Sequence, residues 1–216
     1  MNVIELFSSI DGEGKRQGFL TTFLRLHDCN IRCSYCDTLY SYGPESTFES
    51  MSVQAVADEI EQLGNHRITI TGGEPLLQEL AVIELIDELT RRNHRYDFNI
   101  ETNGTIIPSF HRDNVWFTYD YKTPSSLAED AMNLDIFKVA TPADIIKFVV
   151  GSMQDLDRMD EILKTYPTEA QIFVSPVWGN IEGATIVDYM KAHDWQNVRF
   201  QLQIHKFIWD PDAKGV

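Results

Sequence analysis

The chain has 216 residues, of which 43% are apolar and 24% are charged, a composition typical of a folded globular protein. Its 33 acidic and 18 basic residues give a formal net charge of −15. A field of that sign repels phosphate backbones, so we expect no nucleic-acid partner. The three cysteines lie within eight residues, which makes a poor disulfide framework and favours a reducing compartment.

The first residues, MNVIELFSSIDGEG, are not expected to act as a signal peptide, because they lack a basic segment and carry Glu5 in the apolar run. No stretch approaches the roughly 18 uninterrupted apolar residues of a membrane span. No repeat, low-complexity tract or long Pro/Gly/Ser linker divides the chain. We therefore expect a cytoplasmic protein without a membrane partner, folded as a single domain over residues 1–216.

Strand-like and helix-like segments alternate along the chain, judged by apolar periodicity. In chain order they are a strand at 20–27, a helix at 52–63, a strand at 67–71, a helix at 76–92, strands at 96–101, 115–120 and 144–150, a helix at 153–166, a strand at 170–177, a helix at about 183–193 and a strand at 198–208. Repeated strand–helix units predict an α/β fold with a parallel sheet, either open or closed as a barrel.

Three polar segments follow predicted strands: the cysteine loop at 29–36, the Gly72–Gly73 turn, and ETNG at 101–104. In parallel α/β folds the functional site gathers at the carboxyl ends of the strands. We therefore expect these segments to form one site. The paired glycines predict a close backbone approach to a ligand, because no Cβ stands in the way.

The cysteine loop, CNIRCSYC, places its thiols as C-x3-C-x2-C. A structural zinc site takes four ligands, so a zinc interpretation needs His27 as the fourth. An iron–sulfur cubane takes one thiolate per iron, and three thiolates leave one iron for a small-molecule ligand. Inert core cysteines are a third interpretation, although a loop that contains Asn30 and Arg32 suits a core poorly.

The loop resembles the C-x3-C-x-aromatic-C signature of the radical S-adenosylmethionine (SAM) superfamily, and TGGEP at 71–75 is similar to its GGEP motif. The resemblance implies that Cys29, Cys33 and Cys36 hold a [4Fe-4S] cluster whose open iron binds SAM. Reduction of the cluster then cleaves SAM to a 5′-deoxyadenosyl radical.

Matching the superfamily position by position implies further contacts with SAM. The implied SAM-binding residues are Tyr35, Cys36, Asp37, Gly73, Glu74, Asp120, Tyr121, Lys122, Ser175, Pro176, Val177 and Trp178. The segment DYK at 120–122 departs from the Ser-Pro-Lys that relatives often carry, so only Lys122 matches there.

Within the superfamily, the chain resembles the 7-carboxy-7-deazaguanine synthases along nearly its whole length. The matching segments are SIDGEGKRQG (9–18), TFLRLHDC (22–29), CDT (36–38), ETNGT (101–105), YKTPSS (121–126) and LQIHKFIWDPDAKGV (202–216). The resemblance implies conversion of 6-carboxy-5,6,7,8-tetrahydropterin to 7-carboxy-7-deazaguanine with loss of ammonia, on the route to queuosine and other 7-deazapurines.

The same resemblance assigns the substrate and metal contacts. The implied pterin-binding residues are Ile10, Asp11, Gly12, Glu13, Arg25 and Thr71. Arg25 suits the substrate carboxylate, since a guanidinium binds a carboxylate through two parallel hydrogen bonds. Thr38 stands where family members help to bind Mg²⁺, for which a hydroxyl is an acceptable hard ligand. Asp11 stands where relatives often carry Gln.

The resemblance also implies the fold, the assembly and the partners. The fold is α/β, a modified, incomplete (βα)6 TIM-like barrel of the radical SAM type, and the protein pairs as a homodimer. A flavodoxin or a ferredoxin-type protein reduces the cluster. Shorter relatives end soon after the segment that matches HKF, whereas this chain continues through WDPDAKGV. A contact between the Val216 carboxylate and the substrate is therefore left open.

Two other functions compete with the synthase. An activating enzyme for a glycyl-radical protein also carries C-x3-C-x2-C but binds a protein partner, and DGEG, Arg25 and CDT favour the synthase over it. A non-catalytic zinc-binding module would hold zinc and no iron.

Overall fold

The computed structural model describes residues 1–211 and 213–216. The strands in these residues are β1 (Asn2–Ile10), β2 (Leu20–Leu26), β3 (Glu49–Ser50), β4 (Arg67–Gly72), β5 (Asp97–Thr102), β6 (Val115–Tyr121), β7 (Ile145–Val150), β8 (Gln171–Pro176) and β9 (Val198–Phe200). The α-helices are α1 (Val53–Leu63), α2 (Glu79–Arg92), α3 (Ile136–Val139), α4 (Met153–Thr165), α5 (Gly183–Ala192) and α6 (His205–Ile208). None of these helices combines the length and apolar content that a membrane crossing requires.

All of these strands join one sheet, in the order β3-β1-β2-β4-β5-β6-β7-β8-β9. From β2 onward every neighbouring pair is parallel, whereas β1 runs antiparallel to both β2 and β3. The sheet is open, since β3 and β9 stand at opposite ends of the order. This is the partial TIM-like barrel that the sequence predicts.

The two sides of the parallel strands differ in chemistry. Successive side chains of a strand point to opposite sides. One side is apolar and buried in the hydrophobic core, with members that include Leu24, Ile70, Ile100, Tyr119 and Phe148. The alternate positions carry polar side chains that line a cavity, among them Arg25, Thr71, Glu101, Asp120 and Lys147. The sheet therefore separates a hydrophobic layer beneath the helices from a polar interior.

The four longer helices, α1, α2, α4 and α5, begin and end within three residues of where the sequence predicts. The Ser52 side chain accepts a hydrogen bond from Ala55 N at 3.1 Å and so caps α1, which ends at Gly64 with φ +76°. The Ser152 side chain caps α4 in the same way. Both helices bury an apolar stripe, which holds them against the sheet.

The prediction for the end of the chain is wrong. The strand expected over 198–208 is only three residues long, and residues His205–Ile208 form α6. Gln201 N still donates to Val174 O at 3.0 Å, but Ile204 N then donates to Gly12 O at 3.1 Å. The chain leaves the sheet because the loop after β1 offers it a partner. Strand β1 itself was not predicted.

The Gly72–Gly73 turn brings β4 against the cluster loop, and both glycines also line the cavity. A Cβ on Gly73 would stand 1.8 Å from Asp28 O, and one on Gly72 would stand 2.2 Å from Leu26 O. Gly72 also has φ +133°, which disfavours a side chain. The close approach is thus to the backbone of this chain, which the turn holds in place.

We expect Gly73→Ala to lower the free energy of unfolding by about 3 kcal/mol or more, because only backbone movement relieves the clash. Urea denaturation of the purified variant measures this. The matched control is Gly151→Ala, whose Cβ meets nothing closer than 3.4 Å. Equal losses in the two variants would contradict the packing role of Gly73.

Candidate active site

One cavity runs along the polar inner side of the sheet. Most of the residues predicted from the sequence line it: Ile10, Asp11, Gly12, Glu13, Arg25, Cys29, Cys33, Tyr35, Cys36, Asp37, Thr38, Thr71, Gly73, Asp120, Lys122, Val177 and Trp178. Four predicted residues, Glu74, Tyr121, Ser175 and Pro176, are not part of its wall. The strand order therefore brings the cysteine loop, the loop after β1 and the ends of β4, β6 and β8 together.

The four exceptions have identifiable reasons. The Glu74 side chain is fully buried and accepts hydrogen bonds from the backbone of Leu76 and Asn103. Tyr121 falls on the apolar side of β6, where its ring packs against Phe148 with 5.0 Å between centroids. The Ser175 hydroxyl is buried beneath the cavity wall, and Pro176 follows it. The side chains of Glu74, Tyr121 and Ser175 are therefore turned away from a ligand in the cavity.

The three thiols lie beside one another at the mouth of the cavity, each partly exposed. Burial raises the pKa of Cys33 to about 11 and also raises that of Cys29, so a bound metal centre would have to displace their protons. Over the described part of the chain, no three His, Cys, Asp or Glu side chains are close enough to share one ion. Three thiols in the wall of one cavity suit a cluster in which each thiolate binds its own iron.

His27 does not complete a zinc site. Its ring packs against Phe48 with 4.3 Å between centroids, and it is not among the residues that line the cavity. The zinc interpretation therefore lacks its fourth ligand in the described residues.

Arg25 presents a ready carboxylate site. Its Nε donates to Glu5 Oε1 at 2.6 Å, and Tyr40 donates its hydroxyl to the same oxygen at 2.8 Å. Burial alone would lower the pKa of Arg25, but Tyr40 and Glu5 leave it raised. Among the described residues, the two Nη atoms make no hydrogen bond. They are held in the cavity in the geometry that binds a second carboxylate.

A chain of buried charges crosses the middle of the cavity. Lys147 Nζ lies 3.2 Å from Glu13 Oε2 and 3.6 Å from Asp120 Oδ2, and Lys122 Nζ lies 3.0 Å from the same Asp120 oxygen. Burial lowers the pKa of Lys147, but Glu13, Asp120 and Glu101 together raise it well above its ordinary value. Both lysines therefore stay charged and fix the carboxylates between them.

Asp120 still has one oxygen without a partner. Its Oδ1 is buried and accepts no hydrogen bond within the described part of the chain. A buried carboxylate oxygen needs a donor, and the hydroxyl groups of a ribose supply donors at such a place. The residues present therefore fit a nucleoside ligand such as SAM.

The loop after β1 closes the far end of the cavity. Asp11 is buried, and its carboxylate accepts from Arg16 Nε at 3.0 Å and from Thr21 Oγ1 at 3.1 Å. Burial raises the pKa of Asp11, and Arg16 opposes the shift. Its carboxylate therefore anchors the loop. A Cβ on Gly12 would stand 2.0 Å from His205 Nδ1, so Gly12 allows the imidazole to close over the loop.

Asp37 and Thr38 face the cavity from the other side. Thr38 donates its hydroxyl to Asp37 Oδ1 at 2.8 Å, and Lys206 Nζ lies 3.7 Å from Asp37 Oδ2. Burial raises the pKa of Asp37, but Lys206 and Thr38 leave it below its ordinary value. The carboxylate is therefore ionised, and the Thr38 oxygen keeps lone pairs for a cation.

The last residues of the chain form part of the wall. Residues 213–216 line the cavity, and Lys214 Nζ lies 4.2 Å from the centroid of the Tyr40 ring. Trp178 meets Phe207 edge-to-face with 5.0 Å between centroids. Val216 thus lies in the cavity wall.

Sequence reasoning assigned no individual role to several charged residues of the wall, among them Lys147 and Glu101. Burial raises the pKa of Glu101 to about 7, and Lys147 opposes that shift. A signal for both exists in the sequence: each is the single charged residue in a mostly apolar strand segment, IIKFVV and FNIE. In a strand buried on both faces such a residue must have a buried partner.

Comparison with known proteins gives both a family and a fold. The model of the radical SAM superfamily matches residues 25–149. A 7-carboxy-7-deazaguanine synthase of Clostridium acetobutylicum is 38% identical, over 99% of this chain and 98% of that protein. Proteins of the same name from Methanospirillum hungatei and Leptospira interrogans are 37% and 36% identical, over 98% and 100% of this chain and 86% and 98% of their own lengths.

A solved structure has the same fold. The crystal structure of QueE from Escherichia coli superposes with a TM-score of 0.71 at 23% sequence identity, over 93% of this chain and 92% of that one. The partial barrel is thus a fold seen by experiment.

Glu101 makes stability depend on pH. Its pKa is about 7 in the folded protein and 4.5 without the fold, so between those values the folded state binds more protons and stability falls as pH rises. We expect the free energy of unfolding of Glu101→Gln, measured relative to wild type, to rise by about 1–3 kcal/mol when the pH is raised from 5 to 8. Urea unfolding at both pH values measures this, with the exposed Glu84→Gln as control. An equal difference in the free energy of unfolding at pH 5 and pH 8 would contradict the raised pKa of Glu101.

Proposed function

Since this chain belongs to the radical SAM superfamily and, within it, to the 7-carboxy-7-deazaguanine synthases, we propose that its cavity converts 6-carboxy-5,6,7,8-tetrahydropterin to 7-carboxy-7-deazaguanine and ammonia. The chain is a radical SAM lyase of queuosine and 7-deazapurine biosynthesis. One observation supports the substrate above all: Arg25, whose Nη atoms have no hydrogen-bond partner among the described residues, lines the same cavity as the three thiols.

In this proposal the thiolates of Cys29, Cys33 and Cys36 hold the [4Fe-4S] cluster. With SAM bound, the cluster supplies the 5′-deoxyadenosyl radical that starts the reaction. The Oδ1 of Asp120, which has no partner among the described residues, receives the ribose hydroxyls, and Lys122 Nζ pairs with the other oxygen of that carboxylate at 3.0 Å. The remaining SAM contacts that we propose are those with Tyr35, Asp37, Gly73, Val177 and Trp178, and the backbone of Glu74, Tyr121, Ser175 and Pro176.

The proposed pterin site lies between Arg25 and the loop after β1. Arg25 binds the substrate carboxylate, and Thr71 contacts the substrate from the neighbouring strand. The Glu13 carboxylate, fixed by Lys147, accepts hydrogen bonds from the amino and ring nitrogens of the pterin. Ile10, Asp11 and Gly12 contribute backbone groups, because the Asp11 side chain is already engaged by Arg16. The enclosed site keeps water from the substrate radical.

We propose that Mg²⁺ binds at the Thr38 hydroxyl, with water and substrate filling its remaining positions. Support comes from the neighbouring Asp37, whose ionised carboxylate adds negative charge. Adding EDTA and then Mg²⁺ to the reaction tests this site.

A flavodoxin or ferredoxin-type protein is the electron donor that we propose. Support comes from the partial exposure of the three cysteines beside the exposed Asp28, Asn30 and Arg32, which leaves the cluster within reach of a docked protein. We propose a homodimer because the family resemblance implies one, and exposed apolar side chains such as Leu80 support it. The cysteine usage supports a cytoplasmic location.

The proposed function is tested under anaerobic conditions. The protein is reconstituted with iron and sulfide, mixed with SAM, dithionite and 6-carboxytetrahydropterin, and the products are analysed by mass spectrometry. 7-Carboxy-7-deazaguanine is the expected product. 5′-Deoxyadenosine without that product would overturn the substrate and reopen the activating-enzyme alternative. A protein that binds zinc but no iron would overturn the whole proposal.

We expect Arg25→Ala to keep its iron and its SAM cleavage while the KM for the pterin rises about tenfold or more, because a charge-assisted pair is lost. Arg25→Lys recovers part of the affinity, since it keeps the charge but loses the paired donors. Steady-state kinetics with the loaded enzyme measures this.

Arg25→Ala alone leaves the Glu5 carboxylate without its charged partner, with only the Tyr40 hydroxyl still donating to it among the described residues, so the double variant Glu5→Gln/Arg25→Ala is measured beside it. The exposed Arg91→Ala, on α2, is the matched control. An unchanged KM in both Arg25 variants would remove the carboxylate-binding role.

A further inference from the structure

The side chain of Asn103 lies against the cluster loop. Asn103 is 7% exposed, and its Nδ2 lies 3.7 Å from Cys29 Sγ and 2.8 Å from Asn30 Oδ1. It follows β5 and belongs to ETNG, a segment without an assigned role in the proposed reaction. One of the three cysteines thus has a buried amide donor beside its sulfur.

Hydrogen bonds fix which way the amide points. Asn103 Oδ1 accepts from both the backbone N and the Oγ1 of Thr105, at 3.0 and 2.7 Å. Asn30 Nδ2 in turn donates to Thr105 Oγ1 at 2.7 Å, which closes a ring of three side chains. A flipped amide would turn its NH2 group toward the backbone N–H of Thr105, which can donate but cannot accept. The Nδ2 group must therefore face the sulfur and Asn30.

The backbone beneath this amide is held equally firmly. Asn103 N donates to Glu74 Oε2 at 2.7 Å, and Thr102 Oγ1 donates to both oxygens of the same carboxylate. Glu74 is fully buried, so it cannot exchange these partners for water. The Asn103 amide is thus built into the fold on both its backbone and its side-chain side.

We propose that Asn103 donates an N–H···S hydrogen bond to the Cys29 thiolate and so raises the reduction potential of the cluster. The Nδ2 group carries two hydrogens: one is used by Asn30, and the other is aimed at the sulfur. Reduction adds negative charge to the cluster, and a hydrogen-bond donor to a ligand sulfur stabilises the reduced state. Asn103 is a positioning residue that acts through Cys29, and its role rests on the cluster of the proposed function.

The test is an EPR-monitored redox titration of the anaerobically reconstituted protein, with iron counted per chain. Asn103→Ala is expected to move the midpoint to a more negative potential. A tenfold loss in the ratio of reduced to oxidised cluster at a fixed potential corresponds to a shift of about 59 mV for one electron. Asn103→Asp is titrated beside it, because it keeps the shape and the Oδ1 acceptor but lacks the donor.

Asn30→Ala is the matched control, since it breaks the same ring but leaves the Asn103 donor at Cys29. Its midpoint is expected to stay near that of the wild type. Wild-type midpoints in both Asn103 variants would overturn the inference, and so would an equal shift in Asn30→Ala, which would trace the effect to a loosened loop.

The inference and the proposed function can fail separately. A shifted midpoint in a protein that forms no 7-carboxy-7-deazaguanine would support Asn103 and overturn the substrate. Formation of 7-carboxy-7-deazaguanine together with unshifted midpoints would support the substrate and overturn the role of Asn103. A wild-type protein that takes up no iron would overturn both.

Discussion

The buried carboxylate of Glu74 is the constraint on which the site depends. It has no exposed surface, and it accepts hydrogen bonds from Leu76, Thr102 and Asn103. The backbone N of Glu74 donates to Asp28 O at 2.7 Å. A buried carboxylate is costly unless all its partners are present. The turn after β4, the end of β5 and the start of the cluster loop must therefore be assembled together.

The position of Glu74 also explains why the paired glycines precede it. A side chain on Gly73 would collide with the backbone at Asp28, so the hydrogen bond from Glu74 N to Asp28 O would be lost. The sequence shows the glycines and predicts a close approach. It does not show which group lies that close, because only the sheet order reveals that β2 is the neighbour of β4.

The local apolar pattern predicts where the strands of this fold lie, but it does not predict what their side chains contact. The run IIKFVV predicts β7, and all six of its residues are buried. Its lysine is paired with Glu13, which is 134 positions away along the chain, and no local pattern carries that information. The motif match likewise assigned Tyr121 to the cavity, whereas alternation along β6 turns its ring to the core. Combining motif with alternation predicts that Tyr121 meets a ligand only through its backbone.

The end of the sheet shows the limit of alternation. The pattern from Val198 onward alternates for a long strand, but β9 has a neighbour on one side only. Gln201 accepts from Gly14 N at 2.8 Å through its side chain, and the chain then turns toward Gly12. At the edge of a sheet, one good tertiary contact outweighs the local preference for an extended strand.

The charge of the cavity cannot be deduced from the charge of the protein. In a chain of net charge −15, Lys122, Lys147 and Lys206 in the cavity wall each face a carboxylate. An acidic ligand that approached these lysines would have to compete with a partner already in place. Arg25 differs, because it meets Glu5 through Nε alone. Within the described residues, a carboxylate at its Nη atoms would break no existing pair, so in the proposed function Arg25 selects which end of an acidic ligand enters beside the cluster loop.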